Sequence, residues 1–226
     1  MAKIDVLIPT FNRGVMLREA VQSILNQTMQ DFRIIIWDDG STDGSTEKEA
    51  LPDDPRILVL NKGEENRGIA HARSQLLKQV EAPFAAWQDS DDISDPKRLE
   101  VMLKHLEDTG ADFAFSYLYF FNGNVKRKHW HLHKVDTARY KALKDGGPEH
   151  YGLKNNMNHP TAVFKASVTQ YPVQPNGRSF GTDFLWVKSL LDSGVTFSHV
   201  SEPLYFLRRH SERVTGIRRV KGKSNE

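Results

Sequence analysis

Two short apolar runs, Ile34-Ile35-Ile36-Trp37 and Phe84-Ala85-Ala86-Trp87, each end abruptly in carboxylates. The first gives way to Asp38-Asp39-Gly40-Ser41-Thr42-Asp43-Gly44, the second to Gln88-Asp89-Ser90-Asp91-Asp92. Carboxylates brought to one place repel each other unless a cation or a donor-rich ligand sits among them. Asp-x-Asp on a turn presents both carboxylates to one side. Mg²⁺ and Mn²⁺ take oxygen ligands, and Mg²⁺ commonly combines one or two carboxylates with phosphate oxygens. A cation held by Asp89 and Asp91 across Ser90 would neutralise charge building on a diphosphate leaving group. Asp38-Asp39 suits another task, since a carboxylate at a strand end can accept the ring N–H of a pyrimidine. The alternative is an Asx turn capping the next segment, a role that Asp43 and Ser45 fit better than Asp39.

Further groups could line the same site. Pro9-Thr10-Phe11-Asn12-Arg13 offers a hydroxyl, an aromatic face, an amide and a guanidinium beside a helix N-terminus, where anions are favoured. The plainer reading is a loop with Asn12 as helix cap. Asn66-Arg67-Gly68-Ile69-Ala70-His71-Ala72-Arg73 opens a helix with a glycine and places Arg73 one turn in. From there Arg73 can reach a diphosphate, brace an acidic loop, or serve as a structural ion pair. Gly181-Thr182-Asp183-Phe184-Leu185-Trp186 puts Asp183 in the first turn of a helix, as a dipole partner or as a carboxylate held over the site as a base. His210 can complete a metal shell or bind phosphate. His129, His131 and His133 alternate with Trp130 and Leu132, and read as an exposed strand face rather than a metal site.

The elements that position these residues follow from periodicity. Strands are expected over Asp5–Pro9, Phe32–Trp37, Ile57–Leu60 and Phe84–Trp87, separated by helices that carry Leu17, Ala20, Val21, Ile24 and Leu25, then Ile69, Ala72, Leu76 and Val80. Strand and helix in alternation imply a mainly parallel sheet, and in such sheets ligands bind at the carboxyl ends of the strands. Asp95-Pro96 supplies an N-cap and a first-turn proline for a helix carrying Leu99, Met102, Leu103 and Leu106 and ending before Gly110. Beyond Gly110 the pattern changes. Phe113, Phe115, Tyr117 and Tyr119 alternate as on a strand with one buried face, and Asn122-Gly123 signals a hairpin. A strand over His159–Phe164, a helix over Thr182–Ser193 stopped by Gly194, and two short strands over Val195–His199 and Pro203–Leu207 complete the expectation.

Composition bounds the classes. The 226 residues suit one large domain or a domain with an appendage. The chain contains no cysteine, which excludes disulfides, thiolate metal sites and cysteine nucleophiles and fits a reducing cytoplasm. No signal-peptide pattern opens the sequence, and no apolar run approaches the ~20 residues of a spanning helix. Net charge is +2, unevenly spread. Residues 126–144 carry seven Lys/Arg against one Asp, and residues 208–226 carry seven against two Glu. Either stretch could face an anionic membrane or a polyanionic acceptor, though solvated surface is the commoner fate.

Taken together and in this order, the motifs Val6-Leu7-Ile8-Pro9-Thr10-Phe11-Asn12-Arg13, Ser23-Ile24-Leu25-Asn26-Gln27-Thr28, Asp38-Asp39-Gly40-Ser41-Thr42-Asp43, Asn66-Arg67-Gly68 with Ala72-Arg73, and Asp89-Ser90-Asp91-Asp92 resemble a family 2 glycosyltransferase of the GT-A fold. The resemblance runs from about Lys3 to Arg209. It implies an α/β fold with a Rossmann-like, mainly parallel central sheet flanked by helices and a smaller mixed acceptor-side region. A single domain is expected, with a nucleotide-sugar-binding half over 1–110, an acceptor-binding half over 111–209 and a basic tail over 210–226. By the same resemblance Asp39 contacts the nucleotide base, and Thr10 and Arg73 line the nucleoside pocket; Pro9, Phe11, Arg13, Arg67 and Ser90 are expected among the donor-binding residues. Asp89 and Asp91 form the Asp-x-Asp motif with Asp91 the ligand of Mn²⁺ or Mg²⁺, and Asp183 is the catalytic base of an inverting transfer; beside the resemblance, His210 is kept as a candidate third metal ligand. The implied donor is a nucleotide-diphospho-sugar, UDP-linked by family tendency. The implied acceptor is a glycan or lipid-linked hydroxyl, at a cytoplasmic location that allows contact with the inner face of a membrane. No nucleic-acid partner is expected. A non-catalytic nucleotide-sugar-binding module is the alternative, because the family often carries Glu-Asp where this chain has Thr182-Asp183. A nucleotidyltransferase is disfavoured, since Pro9–Gly14 is not a glycine-rich phosphate loop.

Overall fold

A computed structural model of the chain describes residues 2–62, 65–121, 159–173 and 181–210. The Asn122-Gly123 turn, His129, His131 and His133, the basic stretch 126–144 and the tail over 211–226 lie outside them. The strands are β1 (Ile4–Thr10), β2 (Phe32–Asp38), β3 (Ile57–Leu60), β4 (Phe84–Trp87), β5 (Ile93–Ser94), β6 (Phe113–Phe121), β7 (Val163–Lys165) and β8 (Phe197–Arg208). Among the described residues the helices are α1 (Gly14–Leu25), α2 (Ile69–Leu77), α3 (Arg98–Thr109) and α4 (Thr182–Asp192). The strands form one eight-stranded sheet in the order β3-β2-β1-β4-β7-β6-β8-β5. Pairs β1–β2, β1–β4, β2–β3 and β6–β8 run parallel. β7 runs antiparallel to β4 and β6, and β5 to β8.

Helices cover both faces, and so the central strands read as unbroken apolar runs rather than alternating ones. One face packs Leu7, Ile35, Ala85 and Phe113 against Leu76 and Leu77 of α2 and Phe184, Trp186 and Leu190 of α4. The other packs Val6, Ile8, Ile34 and Ile36 against Leu17, Val21 and Ile24 of α1 and Leu99, Met102 and Leu106 of α3. Burying each such side chain contributes ~1.5–3 kcal/mol. Register fixes the working edge: Thr10 pairs with Asp38, and Leu7 with Trp87. Three parallel strands therefore release Thr10–Arg13, Asp38-Asp39 and Gln88–Asp92 on one side.

The structure corrects several expectations. α3 starts at Arg98 rather than Pro96. The carbonyl of Pro96 accepts the N–H of Thr28 at 2.7 Å, and Asp95 accepts the N–H of Lys97 at 2.9 Å one turn ahead of the helix. β6 is buried on both faces from Phe113 to Leu118, because it lies inside the sheet between β7 and β8. His159–Thr161 forms a 3₁₀ turn ahead of a three-residue β7. The two strands expected near the C-terminus are one, β8, which continues through a register shift against β6 around Tyr117. β5, two residues long, was not expected at all.

Candidate functional site

The Asp38-Asp39 pair divides its work. Asp38 is 1% exposed. Its Oδ1 accepts the N–H of Ser41 at 2.7 Å, and its Oδ2 accepts the hydroxyl of Thr46. Asp38 is therefore the Asx-type organiser of the turn. Asp43 takes the N–H groups of Ser45 and of Gly14, both at 3.0 Å, and so caps the start of α1 from another loop. Asn12 is not that cap. It holds φ at 50°, and it exchanges bonds with Ser41 at 2.9 Å and Thr42 at 2.8 Å, locking the first loop to the second.

Asp39, 3% exposed, accepts the N–H groups of Arg67 at 3.1 Å and Gly68 at 2.7 Å. Its own N–H bonds to the carbonyl of Thr10 at 2.9 Å. The carboxylate thus holds the 66–68 segment against the end of β1. Gly68 sits at φ 88°, ψ 162°, a region that side chains rarely enter. Around this clasp lie Thr10, whose buried hydroxyl has no hydrogen-bond partner, Pro9 buried within β1, Phe11 at 41% exposure, and an exposed Arg67.

The acidic turn is built from below and behind. The Gln88 side chain donates to the carbonyls of Asp89 and Asp92, both at 3.0 Å. Gln88 is held in turn by Arg98 at 3.1 Å and Ser94 at 2.7 Å. Arg98 is fully buried and also donates to the carbonyls of Trp87 at 2.5 Å and Pro160 at 3.1 Å. Burial brings its pKa down to about 10. The Tyr205 hydroxyl accepts the N–H of Asp89 at 3.0 Å, and burial, then Asp92 and Asp89, pushes its pKa well up. From the end of β8, the Arg208 N–H reaches Asp92 Oδ1 at 2.7 Å and its Nε reaches the Asp91 carbonyl at 2.8 Å. Its Nη2 pairs with Glu19.

Above this frame, carboxylate oxygens of Asp89, Asp91 and Asp92 lie within 4.8 Å of one another. Arg13 Nε stands 3.3 Å and His210 Nε2 3.0 Å from Asp91 Oδ2, and Arg73 Nη2 stands 3.5 Å from Asp89 Oδ1. Ser90 is buried in the turn. An all-oxygen cluster with an adjacent imidazole fits Mg²⁺ or Mn²⁺, and basic groups already gathered around the carboxylates show that positive charge is favoured there.

α4 approaches through Trp186. The Trp186 ring meets Trp87 at 5.8 Å and His159 at 5.5 Å, and His159 stacks on Trp87 at 5.4 Å. Asp183, one turn ahead of Trp186, is half-buried, and its Oδ1 accepts the N–H of Phe184 at 2.9 Å. Sequence reading found the carboxylates but missed Gln88, Arg98, Tyr205, Arg208 and His159. One signal existed: Arg98 precedes Leu99 and Met102 at the start of α3, on a helix whose apolar face it would have to share.

The family model described as Glycosyl transferase family 2 matches residues 5–169, so the match stops short of α4 and β8. An uncharacterized glycosyltransferase of Methanocaldococcus jannaschii is 31% identical over 173 residues, covering 73% of this chain and 56% of its own length. A crystal structure of S. aureus TarS 1-349 in complex with UDP superposes with TM-score 0.66 at 20% identity, over 92% of this chain and 60% of that one. The mannosyltransferase PcManGT from Pyrobaculum calidifontis, in complex with GDP-Man and Mn²⁺, superposes with TM-score 0.63 at 18% identity, over 90% of this chain and 56% of that one. The chain spans 20% to 56% of the length of the first curated relatives that it matches.

Proposed function

Because the chain belongs to glycosyl transferase family 2, we propose that it is an inverting, divalent-metal-dependent glycosyltransferase. It moves a hexosyl or N-acetylhexosaminyl group from a nucleotide-diphospho-sugar, UDP-linked in the first instance, to the hydroxyl of a glycan or lipid-linked acceptor. The observation that carries this reading is the convergence of Arg13, Arg73 and His210 on Asp89 and Asp91, beside the unpartnered Thr10 hydroxyl and the Asp39 carboxylate. The proteins with solved structures bind UDP in one case and GDP-Man with Mn²⁺ in another, so the nucleotide is open to test.

In this reading Asp39 orients the base through the lone pairs left by its two backbone bonds. Arg13 and Arg73 are released from the carboxylates to the diphosphate, to which their guanidinium forks are suited. A bound Mn²⁺ or Mg²⁺, held by Asp91 with Asp89 and His210, would supply charge neutralisation for the departing diphosphate. Asp183 takes the proton of the acceptor hydroxyl as that oxygen attacks the anomeric carbon. Attack opposite the diphosphate inverts the centre. No helix of the described residues is long and apolar enough to cross a membrane. In this reading the basic stretches at 126–144 and 208–226 suit contact with an anionic membrane-borne acceptor.

The test is a thermal-shift screen of UDP- and GDP-sugars with and without Mn²⁺, on the wild type and on Asp91→Asn. A metal-dependent rise of the midpoint with one nucleotide-sugar in the wild type, absent in the variant, supports the reading. Identical metal-dependent shifts in both proteins would remove Asp91 from its role.

A further inference from the structure

His159 is the one imidazole of the described residues that is fully buried with both ring nitrogens unpartnered. Burial, then the nearby charge of Arg73, holds its pKa well below the ordinary value, so the ring is neutral. It stacks flat on Trp87, the last residue of β4, and meets Trp186 edge-on. Arg73 links this stack to the acidic turn: its guanidinium lies 5.9 Å from the Trp87 ring and reaches Asp89.

Residues of this stack, and others next to them in space or along α4, carry further buried polar atoms without partners. Besides the two nitrogens of His159, they are Arg73 Nε, Trp87 Nε1 and Thr182 Oγ1. Thr182 is four residues ahead of Trp186 on α4 and so shares its side of the helix. Buried polar groups are almost always paired, and exceptions in a native structure need a reason. The kind of partner can be deduced. A neutral imidazole offers one donor and one acceptor nitrogen. Diphosphate oxygens only accept hydrogen bonds, so they would leave the acceptor nitrogen unpaired. A sugar hydroxyl both donates and accepts, and an acetamido N–H donates.

We propose that His159 is a specificity residue of the donor site that hydrogen-bonds a hydroxyl or acetamido group of the transferred sugar, with the Thr182 hydroxyl and Arg73 Nε beside it. This rests on the nucleotide-sugar reading above and adds which part of the donor is recognised here.

The test compares UDP with UDP-glucose, UDP-galactose and UDP-GlcNAc by titration calorimetry in Mn²⁺, following the nucleotide-sugar that the wild type binds most tightly. His159→Phe keeps the ring stack and removes both nitrogens. It should leave the UDP Kd within about twofold and raise the UDP-sugar Kd about three- to tenfold, the effect of one neutral hydrogen bond. His159→Gln restores a donor and an acceptor and should recover part of the loss. Equal changes for UDP and UDP-sugar, or none for either, overturn the role and leave His159 a packing residue. If His159→Phe does not fold, the wild type labelled with ¹⁵N-histidine decides: the His159 ring signals, assigned with His159→Gln, must move on adding UDP-sugar and stay on adding UDP. Identical spectra with both ligands overturn the proposal. A wild type that binds no nucleotide at all overturns the donor-site reading itself, and this inference with it.

Discussion

Both Asp183 and His159 neighbour Trp186, the first one helical turn away on α4 and the second in ring contact with it. Their expected behaviours differ in kind. Asp183→Asn keeps size and much of the hydrogen bonding but cannot take a proton at neutral pH. UDP-sugar affinity should stay near wild type while turnover falls ~10²–10⁴-fold, the usual effect of losing an acid/base group; near-normal turnover would move the base elsewhere. His159 instead leaves a mark on stability. Its folded-state pKa lies below 6.5, so below pH 6.5 the unfolded chain takes up a proton that the folded chain refuses. Stability therefore falls as pH drops from 6.5 towards the folded pKa, by up to about 1.4 kcal/mol per pH unit. His71, lowered mainly by burial with help from Arg67, acts in the same direction in both proteins. Urea denaturation at pH 7.5, 6.5 and 5.5 should give a shallower loss for His159→Phe than for the wild type. Parallel curves would mean that the imidazole takes up its proton as readily in the fold as in the unfolded chain.

Among the elements, the segment leading into α2 is the most exacting. Gly68 holds φ 88° while its N–H reaches Asp39 at 2.7 Å. A Cβ there would meet nothing within 4 Å, so Gly68→Ala costs backbone strain alone, ~1–3 kcal/mol. A lowered unfolding midpoint together with weaker UDP binding is expected, and unchanged values for both would show that the clasp is not needed. This element shows what could be read from the chain. Asn66-Arg67-Gly68 and Asp39 were both marked for the site, but the hydrogen bonds between them join residues 28 and 29 apart, and no local spacing encodes such a pairing. The parallel strands were legible because burial on both faces forces continuous apolar runs, as in Ile34–Trp37. β5 was not, since Ile93-Ser94 is too short to show a period and exists only as a partner for Tyr205 and Phe206. The start of α3 was misplaced for a similar reason: Asp95-Pro96 carries a sound capping signal, which a tertiary bond from Thr28 overrides. In the site, carboxylates announced themselves by type. The neutral supports Gln88 and Tyr205 look like ordinary polar and aromatic residues until the sheet brings them together.

At the scale of the molecule, the sheet closes on itself functionally: β8 returns Arg208 and His210 to a turn that left β4 more than a hundred residues earlier. A chain ending at Leu207 keeps β1 to β4 and both helix layers intact, yet loses the bonds of Arg208 and His210 to Asp91 and Asp92. It should fold with a lowered midpoint, retain part of its UDP affinity and lose the increment that Mn²⁺ adds. A full Mn²⁺ response in the shortened chain would show that the turn is organised by Gln88 and Tyr205 alone. The same connection sets an order of events during synthesis. β1 to β4 leave the ribosome early, but the acidic turn gains its Tyr205, Arg208 and His210 contacts only once β8 and the residues after it are made. A nascent or prematurely terminated chain thus carries the carboxylates of the acidic turn without the contacts from β8 and His210 that hold them.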